Sequence, residues 1–356
     1  VIKKIAFFIV IACLFTSCWD RSDIENKNIV SLIGYDRAED DENGNKIKLI
    51  LATPILSEDE GNSNNSDSMI LTDGKTFNDA LDNLTRESSK EISLDQVKIL
   101  LIKKDLLNDS EIISELADSL LRNPFINRKT YMAAVDDAIN DLIDEKKSSS
   151  ENIQNYILGL LKNYTSNSAD NIFDINSFLI SYYEKKDMLI PILDCDKNHV
   201  FIDCFTAFNY SGIKKDISLE DFKICQILKG RNIPILVTLR EYKVDISLNN
   251  NRRSVYVDDN NMEITLNLTA EIKQKQEDNF NREKIVDNLN KQLEKNINDV
   301  LNVCSKYDID ILGLHDYFYK YHQNKFNKLN LSDSIYDKIN IHTKTNVRID
   351  SKGESS

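Results

Sequence analysis

Histidines, cysteines and carboxylates are the side chains here that could do chemistry, and their spacing decides what chemistry is open to them. Four cysteines lie in the body of the 356-residue chain: Cys195, Cys204, Cys225 and Cys304. None is half of a CxxC pair and the spacings fit no zinc pattern, so they read as small buried apolar side chains; a disulfide between Cys195 and Cys204 is left open. His315 and His322 fall on one side of a helix, two turns apart. Two turns is roughly 11 Å along the axis, too far for one metal ion without further ligands. Glu39, Asp41, Asn43 and Gly44 have part of the spacing of a calcium loop. The closing carboxylate of that loop is replaced by Ile50, and Asn43-Gly44 reads instead as a tight turn. A Gly-rich phosphate loop, a GxSxG elbow and an HExxH helix are all absent from the sequence, and the carboxylates follow no acid and base pairing. These residues therefore predict a binding or assembly protein, not an enzyme, with no cofactor and no metal.

One thiol has a more specific setting. Cys18 follows an unbroken apolar run from Ile5 to Phe15, which is preceded by Lys3 and Lys4 and followed by the small Thr16 and Ser17. Charge, apolar core and small residues in that order describe a secretory leader. The run is far shorter than the ~20 apolar residues that span a hydrocarbon core. Thr16-Ser17-Cys18 resembles the lipobox of bacterial lipoproteins, with Phe15 where Leu is usual. The expectation is removal of residues 1–17 by a cut between Ser17 and Cys18, followed by a diacylglyceryl group and acyl chains such as palmitate on Cys18. Two acyl chains, at about 0.8 kcal/mol per buried CH₂, hold a protein on a bilayer without a transmembrane helix. The body so tethered is acidic, with a net charge of −13 for the whole chain. Such a surface is repelled by phosphate backbones and anionic headgroups, so nucleic-acid binding is not expected and the lipid must be the anchor.

The elements that carry these residues alternate between two hydrophobic periods. Ile29–Gly34 and Lys46–Thr53 read as a hairpin, and Val97–Ile102 as a strand covered on both faces. Apolar stripes at helical spacing run over Phe77, Ala80, Leu81 and Leu84; over Ile112, Ile113, Leu116 and Leu120; over Ala134, Ala138 and Leu142; and over Ile153, Ile157, Leu160 and Leu161. Ser57–Ser68 reads as a polar loop, and a further helix over Phe178–Tyr183 precedes Pro191. Val200–Phe208 starts a second region, in which Ser218 caps a short helix that Gly230 stops. Period-two alternation over residues 242–248, 262–272 and 339–349 gives strands with one wet face, and Ile285 to Cys304 marks a long amphipathic helix between them. This predicts an α+β chain with mixed or antiparallel sheets and helices packed on one face. The expected divisions are a leader at 1–17, an N-terminal α+β domain at 18–195 and a C-terminal region at 196–350. Two subdomains at about 200–250 and 251–350 and a tail at 351–356 complete the scheme.

Four segments in order resemble the Ger(x)C family, the C subunits of spore germinant receptors. They are Cys18-Trp19-Asp20-Arg21 with Asp23-Ile24-Glu25; Gly74-Lys75-Thr76-Phe77-Asn78-Asp79-Ala80, with Gln96 leading the following apolar strand; Ala207-Phe208 through Ser211-Gly212-Ile213; and Asp308-Ile309-Asp310-Ile311-Leu312-Gly313 through Phe318. Gln96 stands where the family usually has His, and no Trp follows the Gly313 segment. The resemblance implies a three-domain, lipid-anchored exodomain on the outer face of the inner spore membrane. Its implied partners are a multi-spanning A subunit and a transporter-like B subunit. Trp19, Asp20, Gly74, Phe77, Ala80, Asp310, Gly313 and Phe318 carry the resemblance as structural residues, not as ligand contacts. A solute-binding lipoprotein feeding a transporter is the alternative reading.

Overall fold

The computed structural model describes residues 26–39, 44–54, 67–146, 152–165, 173–196, 199–231, 235–239, 244–275, 281–331 and 334–350. Ser17, Cys18, Trp19 and Asp20, residues 40–43 of the acidic turn, most of the 57–68 loop and the 351–356 tail lie outside them. After a short β1 (Lys27–Ile29), strands β2 (Leu32–Arg37) and β3 (Ile47–Pro54) pair antiparallel, as the hairpin reading expects, and β4 (Asp67–Gly74) adds to β3. Helix α1 (Phe77–Glu87) leads through β5 (Glu91–Ser93), which pairs with β1, to β6 (Ile99–Lys103). Helix α2 (Ser110–Arg122) returns to β7 (Tyr131–Val135), and α3 (Ile139–Lys146), α4 (Ile153–Thr165) and α5 (Ile175–Glu184) precede β8 (Met188–Asp196). Helical crossovers return the chain in the same direction, so β2, β6, β7 and β8 run parallel. The hairpins β8–β9 (β9, His199–Asn209) and β9–β10 (β10, Gly212–Ser218) extend one edge, giving the order β10-β9-β8-β7-β6-β2-β3-β4.

Strand alternation divides the core of this eight-stranded sheet between its two faces. Ile33, Tyr35, Leu100, Ile102, Met132 and Ala134 face α1, α2 and α5, while Leu32, Ile99, Leu101, Ala133 and Val135 face α3 and α4. A strand covered on both sides is apolar at nearly every position, which is why β6 reads ILLIK. On the first face Glu115 fastens α1 and α2 to the sheet: it accepts from the Tyr35 hydroxyl at 2.9 Å, the Phe77 amide at 3.1 Å and the Ser119 hydroxyl at 2.7 Å.

The second sheet has the order β11 (Ile235–Leu239), β12 (Val244–Asp258), β13 (Asn261–Lys275), β14 (Asn340–Ile349). Its helices lie on one face, as expected. There α7 (Arg282–Tyr307) buries Ile285, Leu289, Leu293, Ile297, Val300 and Cys304 against Ile246, Leu248, Met262, Ile264 and Leu266. Because α7, α8 (Leu314–Tyr321) and α9 (Gln323–Lys328) carry the chain across that face, β14 returns parallel to β13. Helix α6 (Leu219–Leu228) packs on α7 and joins this core to the underside of the first sheet.

Two local readings differ from this. Ala134, Ala138 and Leu142 are not one helix: Ala134 sits in β7, and the helix begins at Ile139. A short apolar run such as YMAAV, buried on both faces, has no period to separate strand from helix. Strands β4, β8 and β11 also escaped the pattern; β8 holds Pro191, which lies just before pairing with β7 begins at Ile192. The boundary expected at residue 195 coincides with the β8–β9 turn, and the sheet runs across it. Cys195 lies opposite Val200 and Cys204 opposite Ile192, and all four body cysteines are free thiols.

Candidate functional site

The link between α7 and α8 is built from backbone that turns twice. Asp308 closes α7 at φ 48 and Gly313 opens α8 at φ 70, the left-handed region that glycine enters without strain. Nothing lies within 4 Å of where a Cβ on Gly313 would stand, so its role is conformational. Between them Asp310 caps α8: its two carboxylate oxygens accept from the Leu314 and His315 amides, each at 2.8 Å. The Asp310 amide in turn donates to Asp187 Oδ2 at 2.7 Å, immediately before β8. The other oxygen of Asp187 accepts from Asn209 Nδ2 at 2.8 Å, with Lys214 Nζ at 3.6 Å. Lys214 also donates to the Asp308 carbonyl at 2.6 Å. The start of β8, the β9–β10 turn and the α7–α8 link are thereby held in one polar knot.

Two adjoining cavities flank this knot. The larger, about 660 Å³, is lined by Lys185, Lys186, Tyr210, Lys229, His315, Asp316 and Ser334 among others. The smaller, about 240 Å³, lies between α5, the start of β8 and the end of α6, with Ile180, Met188, Leu189 and Ile311 beside Gln226, Lys229 and Arg231. Lys186, Asp187, Lys229 and Ile311 face both. Burial, and then the positive Arg231, pull the Lys229 ammonium down to about 8, while Asp310 opposes the shift. Burial likewise pushes the Asp310 carboxyl up to about 6, against the pull of the two amides it accepts from. The carboxylates of the knot are occupied by hydrogen bonds; Lys229 has no hydrogen-bond or ion-pair partner among the described residues. The arrangement offers unspent donors and positive charge, the chemistry of holding an anion.

Of the residues singled out from sequence, Asp310 and Gly313 line the larger cavity, and Phe318 is fully buried beneath it on α8. Gly74, Phe77 and Ala80 lie at the opposite edge of the first sheet, where β4 meets α1. A Cβ on Gly74 would stand 2.4 Å from the Ala80 amide nitrogen, so the Gly74 and Ala80 pair records a close approach of strand and helix. Asp187, Gln226, Lys229 and Arg231 were not legible as site residues. Lys229 does precede the helix-stopping Gly230, and Asn209 opens the Asn-Tyr-Ser-Gly turn, but nothing local marks Asp187. His315 stands on α8, whereas His322 ends that helix at φ −137; among the described residues no three His, Cys, Asp or Glu side chains converge as a metal site.

The fold and cavities define an α+β protein with mixed sheets and a charged junction. The family described as the spore germination protein N-terminal domain matches residues 20–194, and the spore germination B3/GerAC-like C-terminal family matches residues 208–353. The chain belongs to this Ger(x)C family of spore germination proteins. It is 24% identical over 160 residues to spore germination protein A3 of Bacillus subtilis (strain 168), covering 45% of this chain and 42% of that one. It is 18% identical over 227 residues to spore germination protein GerQC of Bacillus cereus, covering 64% and 61% respectively. Both alignments thus span less than two thirds of the curated relative. The crystal structure of the GerBC protein shares the fold, with a TM-score of 0.57 at 13% identity over 89% of this chain and 96% of that chain.

Proposed function

We propose that the chain is the lipid-anchored C subunit of a nutrient germinant receptor, a non-catalytic scaffold that works with A and B membrane subunits. The observation that carries this reading is the pair of consecutive family matches, which together reach from residue 20 to residue 353. They favour it over the transporter-feeding alternative. Acylation of Cys18 would hold the acidic body on the outer face of the inner spore membrane. Docking of partners calls for an exposed apolar patch on an otherwise charged surface. Leu121 at the end of α2, Phe125 just beyond it, and Ile180 and Tyr183 on the neighbouring α5 are all exposed and supply one.

The test is genetic and chemical. Spores lacking the gene should lose the response to one class of nutrient and regain it with the wild-type gene. Cys18→Ala should fail to restore it, with the polypeptide released from the membrane and unacylated by mass spectrometry. A normal nutrient response in the deletion strain would sink the receptor reading, and full membrane retention of Cys18→Ala would sink the anchor.

A further inference from the structure

The smaller cavity combines three features: uncommitted donors, two cations set against each other, and an apolar floor. Gln226 is fully buried, and its amide orientation is fixed because Arg231 Nη1 donates to Oε1 at 3.1 Å. A guanidinium can only donate, so the amide nitrogen faces elsewhere, and Nε2 has no partner among the described residues. Lys229 is also without a partner there, and the positive Arg231 disfavours its charge. A buried donor without an acceptor and a cation facing a cation are each costly, and an anion lodged between them relieves both. Met188, Leu189 and Ile311 line the same space and suit a short hydrocarbon tail.

We propose that this cavity binds a small organic carboxylate, its head held by Lys229 and Gln226 in the field of Arg231 and its tail on Met188, Leu189 and Ile311. A monoanion fits better than phosphate, because Asp187 on the cavity wall repels a second negative charge. A volume of about 240 Å³ admits a few carbon atoms and no more. The site needs no other subunit, so it stands or falls separately from the receptor assignment.

The test titrates sodium butyrate into the purified full chain and follows the melting temperature, with sodium chloride at matched ionic strength as the control. A ligand that binds the folded state alone raises the melting temperature as its concentration passes Kd. The expected result is a butyrate-dependent rise that Lys229→Met abolishes and Gln226→Leu diminishes, with both variants giving the wild-type circular dichroism spectrum. Should either fail to fold, the ε-amino group of Lys229 in the wild-type chain can be followed by NMR after ¹³C-reductive methylation. Its titration should move towards the ordinary lysine value when butyrate is present. No rise beyond that of chloride, or an unmoved Lys229 titration, overturns the site. An equal rise in Lys229→Met overturns the assignment of the head group, and a rise with phosphate as large as that with butyrate overturns the carboxylate class.

Discussion

Single residues at this junction hold charge where water is scarce, and that makes stability depend on pH in a readable way. Lys229 titrates near 8 in the folded chain against 10.5 when unperturbed, so the unfolded chain binds more protons between these values. Stability should therefore rise as pH climbs from about 8 to about 10.5. Asp310 has the opposite sign: its folded value of about 6 lies above the ordinary 3.8, so the folded chain binds more protons in that window and its contribution falls as pH rises through it. Lys229→Met should remove the alkaline rise and add on the order of 2 kcal/mol at pH 7, measured by urea unfolding across pH. A variant that keeps the alkaline rise would show that another group causes it. Two glycines should separate conformational from steric cost. Gly313→Ala, at φ 70 with open space around it, should cost about 1–2 kcal/mol, and Gly313→Asn less. Gly74→Ala meets backbone at 2.4 Å and should cost about 1–3 kcal/mol, with no relief from asparagine.

At the scale of elements, α1 shows how a helix is specified twice, once by its cap and once by the face it buries. The Thr76 hydroxyl accepts from the Asp79 amide at 3.1 Å, and the Asp79 carboxylate reaches back to the Lys75 amide at 2.8 Å. That reciprocal arrangement satisfies backbone donors that a helix start leaves open. Phe77, Ala80 and Leu84 then seat the helix on β3 and β4. Thr76→Ala should lower stability by about 1 kcal/mol in chemical denaturation, and Thr76→Ser should restore most of it. Equal losses in both variants would place the effect in the threonine methyl group and not in the cap.

At the scale of the whole molecule, one continuous core binds the second sheet to the first, while the Asp187, Asn209, Lys214 and Asp310 knot fixes their register at the cavity. Ligand occupancy at the junction is thus placed to alter how the two sheets sit together. On the far helical layer Phe125 is 66% exposed, which leaves it available to a partner without a structural duty. Phe125→Glu should change stability by less than about 0.5 kcal/mol while weakening the nutrient response of spores that carry it. A wild-type response in such spores would remove this patch from the docking surface.

The sequence by itself determined whatever depends on local periodicity and on caps. The 99–102 strand, the helices at 77–87 and 282–307, Thr76 and Ser218 as caps, the Gly313 turn and the α+β class with its family all follow from residues that act within a turn or two of each other. Only the tertiary structure decided what depends on distant partners. The two-sided burial of β7, the continuation of the first sheet through β9 and β10, and the meeting of Asp187 with Asp310 across 123 positions leave no local trace. Nor does any trace mark Lys229 as a cation without a counter-ion, because a charge is unpaired only with respect to neighbours that folding brings near it.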